Sequence, residues 1–373
     1  MCAIIEKIQK EVPIMSTNEN KDKKAEVTAL QAISAEDRKD WISLAFVQAG
    51  ICVCVPAFLL GALLAEAMPI WPAIISGSLG YLIVVVGMVA TGMIGCDLGL
   101  ASCTCCQAGF GKSGARFIVS TIFAVNMIGW FGIQNGVCGE AFSNAMLAMT
   151  GWDIPVVVSN TIWGIIMLLT AVYGVHALEK LDKISIPLLM IIMCYGTFLA
   201  FKVYGTGNLN DEGTVQSMSF MSGVALSFNF TAVGTITGPD YTRFQKSRKD
   251  TVKSVFYGVF PMGVITLIMG IVLTKLSGQY DISMVLIEVG LPLLGIIALV
   301  ISTWTTNSTN AYSAGLNIVM ALKLKDNRRR EATLISGIVG IVLCDLGILG
   351  HVEGVLSLLS YVVCPVGGVI LAD

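Results

Sequence analysis

The chain has 373 residues, of which 55% are hydrophobic and only 13% charged, with a formal net charge of −2 and a mean hydropathy of +0.79. Soluble globular chains carry roughly 25% charged residues, so a water-exposed globule of this size is excluded and the bilayer is the solvent that fits. The near-neutral charge offers no basic field for nucleic acid.

Residues 1–40 are polar and include Asn18, Glu19, Lys21, Asp22 and Lys24. No apolar core follows a basic start, so this stretch reads as a flexible cytoplasmic tail and not as a cleaved signal. Met1 and Met15 both stand as possible starts. Residues 41–373 read as one transmembrane domain. A spanning helix needs about 20 mainly apolar residues, which places ten spans near 42–66, 71–95, 116–141, 153–175, 184–204, 218–238, 252–276, 284–322, 332–350 and 353–371. The eighth is overlong, and its first part is expected to be re-entrant or interfacial.

The first span carries Gly50, Pro56 and Gly61; the sixth carries Gly234 and Gly238-Pro239. Such residues free backbone groups inside a membrane helix. Breaks at matching positions of two five-helix halves predict a midplane site in an inverted repeat. After the second span, Cys103, Cys105 and Cys106 cluster among small residues. No histidine or carboxylate is spaced to complete a metal site there, so they read as packing residues.

In the third span Trp130 and Gln134 are four residues apart and share a helical face. A tryptophan stacks on a flat ring, and a carboxamide reads a ring edge with one donor and one acceptor. Taken alone, such a pair is more often an interfacial tryptophan and an interhelical hydrogen bond. The eighth span holds Ser302-Thr303-Trp304-Thr305-Thr306-Asn307-Ser308-Thr309-Asn310. Ser302, Thr305 and Thr306 fall on one face, where their oxygens suit a small hard cation or helix–helix hydrogen bonds.

Charge is scarce at helix centres. Asp97, Glu140 and Asp345 lie towards helix ends and read as solvated or paired, which suits a neutral cargo. Of the 23 Lys and Arg, only Lys202 and Lys275 fall opposite the N-terminal side, so the positive-inside rule places the N-terminus in the cytoplasm. The polar residues cluster at one depth and do not line a pore. Only His176 and His351 are available as catalytic histidines, both near helix ends, so a channel or a membrane enzyme fits poorly.

The stretches Gly129–Gly132, Asp240–Phe244, Trp304–Asn307 with Ala311–Gly315, and Pro365–Asp373 resemble the nucleobase:cation symporter-1 family, nearest its cytosine permease branch. The resemblance runs from Trp41 to Asp373. It implies an all-α membrane protein with the five-plus-five inverted repeat of the leucine transporter, broken at helices 1 and 6. The family continues for two more helices, so a truncated, non-transporting fragment is an alternative reading.

By position, the resemblance implies a sodium site made of the carbonyls of Gly50, Val53 and Ser302 with the hydroxyls of Thr305 and Thr306. It implies substrate contacts from Trp130, Gln134, Phe230 and Asn307, with Phe228 a lesser candidate. Trp130 and Phe230 would sandwich the ring, and Gln134 and Asn307 would pair with its heteroatoms. Two positions depart from the cytosine branch. Met127 stands where that branch has a glutamine, Gln134 instead following Trp130 as in the hydantoin-type branch, and Ser302 replaces an asparagine. The expected function is import of a neutral nucleobase-type heterocycle across the plasma membrane by symport with a cation, Na+ or H+. Hydantoin, allantoin or hydroxymethylpyrimidine transport is the alternative, and the oligomeric state is left open.

Overall fold

The computed structural model describes residues 30–206, 209, 216–278 and 282–372. Most of the tail at 1–40, and the choice between Met1 and Met15, lie outside them. In lipid every backbone group needs a partner within its own segment, and the described chain is accordingly almost all helix.

The first span is a bent pair, α1 (Trp41–Cys52) and α2 (Val55–Ala67), turned by 54°. The turn is made by Val53 (φ −88, ψ 75) and extended Cys54 (φ −143, ψ 158). It therefore falls between Gly50 and Pro56, with the proline in the first turn of α2, where a missing N–H costs nothing. Next come α3 (Ile70–Leu98), the short α4 (Ser102–Cys105) and α5 (Gln107–Gly114), a π-helical turn at Ala115–Val119, and α6 (Ser120–Thr150). Helices α7 (Val156–Val172) and α8 (Val175–Tyr204) complete the first half.

The sixth span is α9 (Phe220–Thr231) and α10 (Val233–Thr242). The helix is interrupted only at Ala232, whose φ −54 and ψ −33 remain helical. The interruption is gentler than in the first span, and Gly238-Pro239 lies inside α10. Helix α11 (Arg248–Ser277) follows. The overlong eighth stretch resolves into the short α12 (Ile282–Glu288) and α13 (Pro292–Ala321), and α14 (Arg329–Asp345) and α15 (Val352–Ala372) close the order.

Among the described residues five helices are long and apolar enough to cross a membrane, or six with the bent first pair. Helix α13 lies in the expected place but is too polar to meet that criterion. From Ala298 to Met320 nearly all its residues are buried, so its hydroxyls and amides meet protein and not lipid.

The packing repeats with exchange of halves. Both parts of the first span pack on α11, the second helix of the second half. Reciprocally, α9 and α10 pack on α3, the second helix of the first half. The third members, α6 and α13, pack on each other, and each is preceded by short helices. This is the pairing that a twofold inverted repeat requires. Backbones meet closely at the exchanged contacts: a Cβ on Gly61 would lie 2.6 Å from Leu267 O, and one on Gly270 would lie 2.5 Å from Phe58 O. Small residues serve this role wherever membrane helices pack backbone to backbone.

Candidate functional site

A cavity opens at the break in the first span, walled by α1, α2, α3, α6, α9, α10, α11 and α13. The wall is mostly apolar, with a few polar groups pointing inward, as small-molecule sites are. Trp130 and Gln134, on one face of α6, both reach it, and Phe230 reaches it from the end of α9. Thr306 and Asn310 arrive from α13, and Gln48 from α1.

Trp130 and Phe230 touch edge to face, with ring centroids 5.7 Å apart and planes at 72°. This is not the parallel, gapped arrangement of a sandwich. Two carboxamides bring acceptors to the wall. Gln134 is buried and its Oε1 has no hydrogen-bond partner. Gln48 donates through Nε2 to Ser254 Oγ at 3.2 Å, while its Oε1 is equally unpartnered. Leaving a buried acceptor unmade costs roughly 1–3 kcal/mol, so each of these oxygens carries an unmet demand for a donor.

Two expected substrate residues stand elsewhere. Asn307 is committed to the protein: Nδ2 donates to Phe131 O at 3.1 Å and lies 3.6 Å from Met167 Sδ. It faces α6 and α7, and the cavity-lining amide of α13 is Asn310, one turn on, which donates to Asn307 Oδ1 at 3.4 Å. Phe228 is half-buried on α9 and is not part of the cavity wall.

The proposed cation ligands converge behind the cavity. Thr306 Oγ1 donates to Gly50 O at 2.7 Å, and Thr305 Oγ1 approaches the same carbonyl at 3.3 Å. Both hydroxyls also lie 3.0–3.1 Å from Ser302 O. Val53 marks the break itself, and its N–H closes on Ala49 O at 3.0 Å. Four oxygens thus gather where the last turn of α1 crosses the middle of α13.

Of the carboxylates singled out by sequence, Asp97 is paired with Arg248 Nη2 at 2.5 Å, Asp345 accepts Asn160 Nδ2 at 3.0 Å, and Glu140 is exposed. Two others escaped notice because they lie in polar-looking flanks. Asp240 is fully buried and accepts Ser102 N at 2.8 Å. Asp182 is fully buried beside Gly50. Helix α8 begins at Val175, well before the apolar run at 184, so Asp182 belongs to the helix and not to a loop. Gln48 was also missed, although a lone carboxamide two residues before Gly50 was a usable signal. The cysteine cluster is core: Cys103 and Cys106 pack with Tyr241 and Leu316.

Residues 33–373 match the model of a family described as permease for cytosine/purines, uracil, thiamine, allantoin. The chain belongs to this family. It is 29% identical over 340 residues to the cytosine permease of Escherichia coli strain K12, covering 90% of this chain and 78% of that relative. Among solved structures it superposes on Mhp1, a nucleobase-cation-symport-1 family transporter in a closed conformation with bromovinylhydantoin bound. The TM-score is 0.79 at 17% identity, over 94% of this chain and 80% of that one. MhsT in complex with L-phenylalanine gives a TM-score of 0.70 at 14% identity, over 90% of this chain and 89% of that one. The permease is thus a multi-pass membrane transporter, not an enzyme, with the five-plus-five inverted-repeat fold of the leucine transporter.

Proposed function

We propose that this permease imports a neutral, planar, nucleobase-type heterocycle across the plasma membrane, N-terminus in the cytoplasm, coupled to inward movement of one Na+. The observation that carries this reading is Thr306. Its side chain lines the cavity and also donates to Gly50 O at 2.7 Å, so a single residue belongs to both sites.

Trp130 supplies a face for the ring, and base–aromatic stacking is worth roughly 1–3 kcal/mol. The unpartnered Oε1 atoms of Gln48 and Gln134 accept the N–H donors that such rings carry on their edges. No cavity-lining side chain is charged, which matches an uncharged cargo. Phe230 turns from its edge contact with Trp130 to admit the ring.

The cation exchanges hydrogen bonds for ion–oxygen contacts. Thr305 and Thr306 now spend their protons on Gly50 O and Ser302 O. A bound ion takes a lone pair from each of the four oxygens and ties α1 to α13, which favours the arrangement that holds substrate. By reciprocity the substrate raises cation affinity equally. One charge moving through 100 mV supplies about 2.3 kcal/mol, enough for roughly fifty-fold accumulation before any sodium gradient is counted.

Hydantoins or allantoin are the second reading. Its support is Gln134, four residues after Trp130 on the cavity wall, while Met127 is buried and off that wall. Uptake of labelled cytosine, uracil, adenine and hydantoin into proteoliposomes, with and without an inward Na+ gradient, tests both. Saturable, gradient-dependent uptake of one heterocycle is expected; equal uptake without Na+ refutes the coupling.

A further inference from the structure

The geometry points to Asp182 as an anionic cation-binding residue, forming an acidic subsite on the α8 wall of the ion site at Gly50, Thr305 and Thr306. This rests on the proposed cation coupling and deepens it by naming a ligand that brings full charge.

Asp182 has no exposed surface, and neither carboxylate oxygen has a hydrogen-bond partner. A buried carboxyl group with no hydrogen-bond partner is a costly arrangement and persists where a function maintains it. The contrast with Asp240 is direct, since that carboxylate accepts Ser102 N at 2.8 Å. Two nearby lysines are engaged elsewhere. Lys183 donates to Glu179 at 2.7 Å and to Ser43 Oγ at 2.9 Å, and Lys39 pairs with Glu179.

Position completes the case. A Cβ built on Gly50 would lie 2.7 Å from Asp182 Oδ1 and 3.3 Å from Oδ2. The carboxylate therefore presses against the Cα of the residue whose carbonyl receives Thr305 and Thr306. Helix α8 packs against both α1 and α13, so three helices enclose the group. Any side chain at position 50 would fill the space in front of it. Carboxylate, carbonyl and hydroxyl oxygens together form a hard ligand set suited to a small hard cation. Sodium supplies the counter-charge that the surrounding protein does not.

The test is thermal stability of the purified full-length protein in NaCl against choline chloride at equal ionic strength. Wild type is expected to melt higher in Na+. Asp182→Asn removes the acidic ligand and is expected to lose the Na+ increment. Its half-saturating Na+ should rise by about tenfold or more, since even outer-shell partners of a bound metal cost 10–100-fold in affinity. Asp182→Glu keeps the charge but displaces it, and is expected to retain a weakened Na+ response. That variant carries the test if Asp182→Asn does not fold. Half-saturating Na+ equal to wild type in whichever variants fold overturns the subsite while leaving the Thr305–Thr306 site standing. A wild type indifferent to Na+ overturns the subsite and the cation coupling together.

Discussion

Thr306 donates its hydroxyl to Gly50 O across 2.7 Å, fastening the middle of α13 to the last turn of α1 just before the chain breaks at Val53. Thr306 also lines the cavity, so the proposed ion and substrate sites share this contact. Thr306→Ala should raise half-saturating Na+ and weaken substrate binding together, and should lower stability by about 1 kcal/mol from the lost hydrogen bond. Thr305→Ala, whose contact with Gly50 O is longer at 3.3 Å, should act in the same direction but more weakly. Na+ titrations of substrate uptake in both variants check the order. Na+-dependent uptake that survives the double substitution refutes the ion site.

Trp130→Ala should reduce substrate affinity by roughly 5- to 150-fold, the equivalent of about 1–3 kcal/mol of stacking. Trp130→Phe should recover part of the loss. Equilibrium binding of the transported heterocycle measures both, and unchanged affinity in Trp130→Ala removes the stacking role.

Gln134 and Asn307 separate a binding amide from a structural one. Gln134→Leu removes an acceptor from the cavity wall and should lower affinity with little change in melting temperature. Asn307→Ala removes the donor to Phe131 O and should lower melting temperature while leaving affinity nearly unchanged. Parallel thermal and binding measurements on the two variants decide it; the reverse pattern would return Asn307 to the substrate.

Tyr312→Phe takes from the fully buried Arg243 the hydroxyl that its Nη2 contacts at 2.7 Å. A hydrogen bond to a charged group is worth roughly 1.5–3 kcal/mol, so the variant should melt distinctly lower while its substrate affinity stays intact. Thermal unfolding with and without substrate reads this.

Glycines on the two broken spans should respond oppositely. Gly61→Ala forces a methyl to 2.6 Å from Leu267 O and should destabilise the α2–α11 contact. At Gly234 the nearest atoms are 3.8 Å away and the backbone is helical, so Gly234→Ala should be neutral or stabilising by up to about 1 kcal/mol. Melting temperatures of the two variants, with uptake as a control, test this. Destabilisation by Gly234→Ala would show that the sixth span needs that glycine.

The membrane class, the placing of the helices along the chain, the bend between Gly50 and Pro56 and the pairing of Trp130 with Gln134 on one face were all legible in the amino-acid sequence. Each depends on local rules: a spanning segment must satisfy its own backbone, and the helical period is constant. Tertiary structure alone decided what each face meets. Asn307 and Asn310 lie one turn apart on α13, and only the rotation of that helix against α6 and α7 turned the first inward to the protein and the second to the cavity. Asp182 looks like a solvated residue beside Lys180 and Lys183 until α8 is packed against α1 and α13. Burial is a property of neighbours distant in sequence, and no reading of local pattern encodes which neighbours those are.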